Sequence, residues 1–173
     1  MKKLTVILFC LVFVLTFSSL AMAKGKTGPA GKSNVGHLYL YEKIPGSLDT
    51  PWPIVEGGAW GKMKYNLSGT TFDFVFNGHG LPIGVDYTLI YYPDPWPGTG
   101  LICLGSGVVN ADGNIHIAGS VDTGDLPNDG DDNEGAKIWL VLSNDVGCDA
   151  AQMVGWNPTA YLFEYDLITF DAE

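Results

Sequence analysis

Six acidic side chains, Asp122, Asp125, Asp129, Asp131, Asp132 and Glu134, fall within thirteen residues that contain no lysine. Like charges at this density repel, and two resolutions exist. Either the loop stays open and hydrated, or a hard cation such as Ca²⁺ gathers carboxylates and backbone carbonyls into a shell of roughly six to eight oxygens. Gly124 and Gly130 permit the tight turns that a wrapped cation needs. An EF-hand register is not met. Asp129, Asp131 and Asn133 are followed by Glu134, so Gly135 comes one place late and Leu140 stands where the bidentate glutamate belongs. Like-charge blocks are usually hydrated faces or interaction tails, which makes the solvated loop the simpler reading.

Two tryptophans share an unusual setting, Pro51-Trp52-Pro53 and Pro95-Trp96-Pro97. Flanking prolines exclude each from a sheet interior and stiffen its backbone. An indole held in such a loop can stack on a sugar ring, with Tyr91, Tyr92, Asp94 and Asp49 to supply hydrogen bonds, which would make a carbohydrate-binding surface. The alternative is that each ring folds back and caps the core. The high average burial of tryptophan favours capping.

Other chemistry finds less support. His37, His79 and His116 are scattered, and neither a zinc set nor a cupredoxin-like Cys, His and Met cluster is present. Structural or surface histidine is the expected role. Ser106 has glycines at its immediate neighbours, whereas a nucleophile elbow needs them two places away, where Leu104 and Val108 stand. A glycosidase needs two carboxylates facing across a cleft, and nothing in the order of the 19 acids selects a pair. Phosphate loops, dinucleotide fingerprints and zinc-protease helices are missing. No catalytic residue is assigned, and a small secreted hydrolase remains only as the second alternative to a binding module.

The compartment follows from the first residues. Lys2-Lys3, an apolar run from Leu4 to Phe17 and Ala21-Met22-Ala23 form the three parts of a cleavable signal peptide over residues 1–23. The apolar run is shorter than the ~20 residues that span a bilayer, and Ser18-Ser19 follows it, so no membrane span is expected after cleavage. Cys10 lies inside that run, after Phe9, where lipidation would require a small residue. The expected destination is secretion, the periplasm or the cell surface, with an unknown extracellular protein or a glycan as partner. Removal of the presequence takes the net charge from −10 to −12, and every basic residue is lysine. Nucleic-acid binding, which needs clustered cations, is excluded as a reading. Two cysteines remain, Cys103 and Cys148, and an oxidising compartment implies a disulfide between them.

Residues 24–34, rich in lysine, glycine and proline, are expected to form a flexible leader to a single domain over residues 35–173. Within the domain, apolar residues alternate in short runs and no run sustains a helical period. The predicted strands are Val35 to Tyr41, Ala59 to Leu67, Thr71 to Phe76, Asp86 to Tyr92, Leu101 to Val109, Asn114 to Val121, Ala136 to Leu142 and Ala160 to Phe170. Phe72, Phe74 and Phe76 share one face, and Met63, Tyr65 and Leu67 oppose Lys62 and Lys64, so each strand has a core side and a water side. The nearly continuous apolar run Ala136 to Leu142 suits a strand covered on both faces. Asp112-Gly113 is the clearest hairpin signal, and Asp149 to Met153 could form one helical turn capped by Asp149. About eight strands with glycine-rich and proline-rich connections predict an all-β fold, a two-sheet β-sandwich.

Leu81-Pro82-Ile83-Gly84-Val85-Asp86-Tyr87 resembles the tyrosine corner of fibronectin type III and related Greek-key domains, in which a leucine precedes by six residues a tyrosine whose hydroxyl bonds back to the turn. The resemblance implies an immunoglobulin-like, Greek-key sandwich. The proline sits one place early, and Cys103 follows Tyr87 by sixteen residues instead of two. A wider pattern, Gly135 to Ser143 followed by Gly155-Trp156-Asn157-Pro158 and Tyr161-Leu162-Phe163-Glu164, resembles a group of uncharacterised exported proteins of archaea and bacteria. It brings no catalytic residue with it. The sequence thus points to an exported, non-enzymatic binding or surface module with a Ca²⁺ ion as the candidate cofactor, and to a carbohydrate-binding module as the first alternative.

Overall fold

The computed structural model describes residues 33–46 and 52–173. The signal peptide, most of the leader and the residues Asp49 and Pro51 lie outside the described residues. The fold is all-β, with antiparallel sheets packed together in a manner consistent with a β-sandwich. Its strands are β1 (Val35–Tyr41), β2 (Trp60–Asn66), β3 (Ser68–Gly69), β4 (Phe72–His79), β5 (Asp86–Tyr92), β6 (Ile102–Val108), β7 (Ile115–Val121), β8 (Lys137–Leu142), β9 (Val146–Gly147), β10 (Gln152–Met153), β11 (Phe163–Glu164) and β12 (Asp171–Ala172). Among the described residues no helix is long and apolar enough to cross a membrane.

A five-stranded sheet runs in the order β11-β1-β2-β4-β7 and a three-stranded sheet in the order β6-β5-β8. Period-two polarity decides how they meet. Leu38 and Leu40 of β1, Met63 and Tyr65 of β2, Phe72, Phe74 and Phe76 of β4, and Ile115 and Ile117 of β7 all point inward. They pack on Tyr87, Leu89 and Tyr91 of β5 and on Ile138 and Leu140 of β8 in one apolar core. Each fully buried phenylalanine contributes roughly 1.5–3 kcal/mol over an exposed one.

The alternate residues of β5 and β8 are buried as well. Ile90, Tyr92, Trp139 and Val141 face the other way and form a second, smaller core with Leu101, Val146, Met153, Tyr161 and Phe163. The run Lys137–Leu142 is therefore covered on both sides, as its near-continuous apolar pattern implies. The cover on the outer side consists of loops, the β9–β10 hairpin and a short 3₁₀ turn at Pro158–Ala160.

Several expectations are corrected. The predicted last strand, Ala160 to Phe170, is broken because it serves both sheets in turn: Leu162 bridges Leu140, Phe163–Glu164 pairs with β1, Ile168 bridges Ala136 and Phe170 bridges Leu126. The segment Asp149 to Met153 forms no helical turn, since residues 148–151 turn between β9 and β10 with Ala151 at φ 48°. The Asp112-Gly113 turn does form, with Gly113 at φ 75°, but the strands it joins belong to different sheets. Asn34, expected at the end of a flexible leader, is tied down: its Oδ1 accepts the Leu67 and Ser68 N–H groups at 3.1 and 3.0 Å. The Tyr87 hydroxyl is buried and bonds no protein group, so the defining bond of a tyrosine corner is absent.

Candidate functional site

The outer core of the three-stranded sheet carries four of the five tryptophans. At its base the Trp139 ring stacks on Tyr92, with centroids 3.9 Å apart and planes at 13°, as outward-facing neighbours on adjacent strands must. Phe163 meets Trp139 edge to face at 5.2 Å. Three more indoles arrive on loops.

Trp156 stands at the centre of that group. Its loop is fixed by Asp145, a buried carboxylate in the 3₁₀ turn after β8. The Val154 and Gly155 N–H groups donate to the Asp145 carbonyl at 2.9 and 3.1 Å. The Asn157 side-chain amide and the Tyr161 hydroxyl donate to Asp145 Oδ2 at 2.8 and 2.5 Å. Tyr161 in turn accepts the Asn157 N–H at 2.9 Å. Burial, and then the donated bond to Asp145, hold the Tyr161 hydroxyl far above its ordinary pKa. Residue 155 must be glycine, because a Cβ there would lie 2.2 Å from Asp145 Oδ1.

Trp96 reaches Trp156 because its loop is bonded to the β9–β10 hairpin. Met153 N–H donates to the Pro97 carbonyl at 2.9 Å, and Gly100 N–H to the Ala151 carbonyl at 3.0 Å. A disulfide from Cys103 to Cys148, with Cα atoms 5.7 Å apart, ties the same hairpin to β6. Trp96 packs edge to face on Trp156 at 5.2 Å. Trp52 enters from the connection between β1 and β2, where Lys43 and Ile54 form an antiparallel bridge. It lies 6.1 Å from Trp156 and edge to face on Phe163 at 5.0 Å.

Trp52 and Trp96 thus converge on one ring. Trp52 is partly buried and packs against the outer core, the capping role, while Trp96 and Trp156 remain 52% and 43% exposed. The acidic loop is adjacent. Asp131 Oδ2 accepts the Tyr91 hydroxyl at 2.8 Å, and Asp131 Oδ1 accepts the N–H of Asp94 at 3.3 Å and of Asn133 at 3.0 Å. Asp94 forms an ion pair with Lys137. Tyr91 and Tyr92, expected to offer hydroxyls to a ligand, are corrected to buried residues, because β5 is covered on both faces. Burial pushes the hydroxyl pKa of Tyr92 up to about 12.

The acidic side chains are not drawn together. Asp125 Oδ1 accepts the Ala172 N–H at 2.7 Å and Asp131 is spent on the bonds above, whereas Asp122, Asp129, Asp132 and Glu134 are exposed. Among the described residues no group of three or more His, Cys, Asp or Glu side chains is placed to hold a metal ion.

A further titratable group lies at the base of the aromatic group, and the sequence offered no pattern for it. Glu164, on β11, has its Oε2 buried without a hydrogen-bond partner. Desolvation raises its pKa from 4.5 to about 7, against opposing effects from Lys43, Lys137 and the nearby Trp139 indole N–H, which stops short of hydrogen-bond geometry. Trp156 was also missed as a site residue, although its place between Gly155 and Asn157-Pro158 repeats the loop setting of the other two. Comparisons of the chain with protein-family models, curated proteins and solved structures give no match.

Proposed function

We propose that the chain is an exported, non-enzymatic binding module that holds a glycan on the indole group of Trp52, Trp96 and Trp156, with an immunoglobulin-like, Greek-key sandwich as its scaffold. The observation that carries this reading is the meeting of Trp52 and Trp96 at Trp156, with two indoles still half open to solvent. Indoles that served only to cap a core would be closed over, as Trp139 is. A pyranose ring presents a face of C–H groups that packs on an indole, and its hydroxyls need polar partners beside it. Asp94, two residues before Trp96, is ion-paired with Lys137, which lies opposite Tyr92. Cys103 paired with Cys148 accords with export.

The test is a neutral-glycan array together with gel retardation by β-glucan and xylan, for the wild type and for Trp96→Ala and Trp156→Ala, with melting temperature as the folding control. Each substitution should weaken binding about tenfold, equivalent to ~1.4 kcal/mol. A folded wild type that retains no glycan, or variants that bind as well as it does, would refute the reading. Hydrolysis of a bound polymer that survives purification and disappears on substitution of one carboxylate would replace it with an enzyme.

A further inference from the structure

The outward face of the five-stranded sheet carries a pattern of its own. Strand register places its side chains in cross-strand rows. Tyr41, Trp60 and His79 form one row, Tyr39, Lys62, Asn77 and His116 the next, and His37, Lys64, Val75 and Ala118 a third. Neighbouring members of a row are about 4.8 Å apart across the strands. Trp60 and Tyr39 are 40% and 37% exposed, and Tyr165, 61% exposed, packs edge to face on Tyr41 at 5.9 Å. Tyr39 and Tyr41 lie nearly parallel at 14°, and Trp60 leans on His79 at 4.8 Å. The result is a shallow aromatic surface along β1 and β2.

Charge distinguishes this face from the rest of the described surface. Of the four lysines among the described residues, Lys137 pairs with Asp94 and Lys43 donates to the Glu164 carbonyl at 2.6 Å. The other two, Lys62 and Lys64, both stand here, in a chain of net charge −10. Lys62 Nζ lies 5.3 Å from the Tyr39 ring centroid. All three histidines share the face, and His79 and His116 are oriented by Asn114 and Asn77, each at 2.8 Å. The only outward acid of β1, β2, β4 and β7 is Asp73, which Thr71 and Ser120 bond at the far row. Beside it an open cleft of about 440 Å³ is lined by Val35, Lys64, Asn66, Val75 and Ser120 among others.

We infer that this sheet face is a second binding surface whose ligand is an acidic polysaccharide. Flat rings receive the C–H faces of the sugars, and Lys62 and Lys64 receive the carboxylates, the one place on the described surface where an anion meets unpaired cations instead of acids. Two lysines without arginine suit the single charge of a uronate better than a run of phosphates. The inference does not need the indole group of Trp156, since different side chains build the two surfaces.

The full chain is tested by affinity electrophoresis in polygalacturonate, with fully methyl-esterified polygalacturonate as the uncharged control and polyglutamate as a control for charge without sugar. Wild type should be retarded by polygalacturonate and much less by either control. Lys62→Ala with Lys64→Ala should weaken retention at least tenfold, Lys62→Arg with Lys64→Arg should restore most of it, and Trp60→Ala should weaken it several-fold at unchanged melting temperature. Absence of retention, equal retention in either control, or indifference to the lysine substitutions would overturn the inference. Sedimentation that finds a dimer dissolved by the lysine substitutions would overturn it too, by making a second copy of the chain the occupant.

Discussion

The Asp145 carboxylate and the Tyr161 hydroxyl are bonded at 2.5 Å, and that pair holds the loop that presents Trp156. Asp145→Ala should cost about 3–4 kcal/mol, because it leaves the buried Tyr161 O–H and the Asn157 side-chain amide without an acceptor. Tyr161→Phe removes one donor from a carboxylate that keeps another and should cost about 1–2 kcal/mol. Urea denaturation followed by tryptophan fluorescence measures both. If the pair holds the Trp156 loop, Asp145→Ala should also shift the native emission. Equal, small losses in the two variants would show that Asp145 is not the anchor.

Cys103 and Cys148 close a loop of 45 residues. In the chain-entropy account this stabilises the fold by ~4 kcal/mol, an upper figure. Cys103→Ser with Cys148→Ser should therefore lower stability by about 2–4 kcal/mol. The loss should appear without a change in secondary structure by circular dichroism, because neither sheet depends on the bridge for its register. The Trp96 loop is bonded to the bridged hairpin, so indole emission should change more than the backbone signal.

The strands that carry alternation were legible in the sequence. Phe72, Phe74 and Phe76 face the core as their spacing dictates, and Val35–Tyr41 and Asp86–Tyr92 begin and end where the pattern does. Local polarity is a property of a strand and its two faces, so it can be read before pairing is known. What covers a face is not local. Tyr91 and Tyr92 looked available to a ligand because what buries them is distant in the chain: Tyr91 turns into the core under the five-stranded sheet, and Tyr92 is covered by residues 93–101 and 143–161, which are irregular and have no period to read. The convergence on Trp156 depends on the hairpin contacts of Met153 and Ala151, which join stretches some fifty residues apart. Ala160 to Phe170 misled for a related reason, since its apolar residues answer to two sheets and not to one.

Tyr87 separates this fold from a true tyrosine corner by experiment. In such a corner the hydroxyl bonds back to the turn, and its removal costs stability. Here the hydroxyl has no protein partner, although Tyr87 lines a cavity of about 140 Å³ together with Glu42. Tyr87→Phe should leave the unfolding free energy within about 0.5 kcal/mol of wild type, or raise it, because an unpartnered hydroxyl leaves the interior. A loss above ~1.5 kcal/mol would establish that the hydroxyl is held after all, with Glu42 the first partner to examine.

Glu164 makes stability depend on pH in a direction opposite to that of most carboxylates. Its folded pKa is about 7 and its unfolded value near 4.5, so between those limits the folded chain binds the extra proton. The neutral carboxyl is fully tolerated below the unfolded pKa. As pH rises through the window the folded state alone resists ionisation, and its stability falls, levelling off once the folded group has also titrated. The loss from this one group is on the order of 2 kcal/mol, allowing for partial access of solvent to the rest of the side chain. Glu164→Gln keeps the shape and cannot ionise, so its stability curve should lack this decline and lie above wild type at pH 8. Because Trp139 faces the carboxylate, its emission should titrate near neutrality in wild type and stay flat in Glu164→Gln. Parallel pH curves for the two proteins would show that Glu164 is already ionised in the folded state at pH 5.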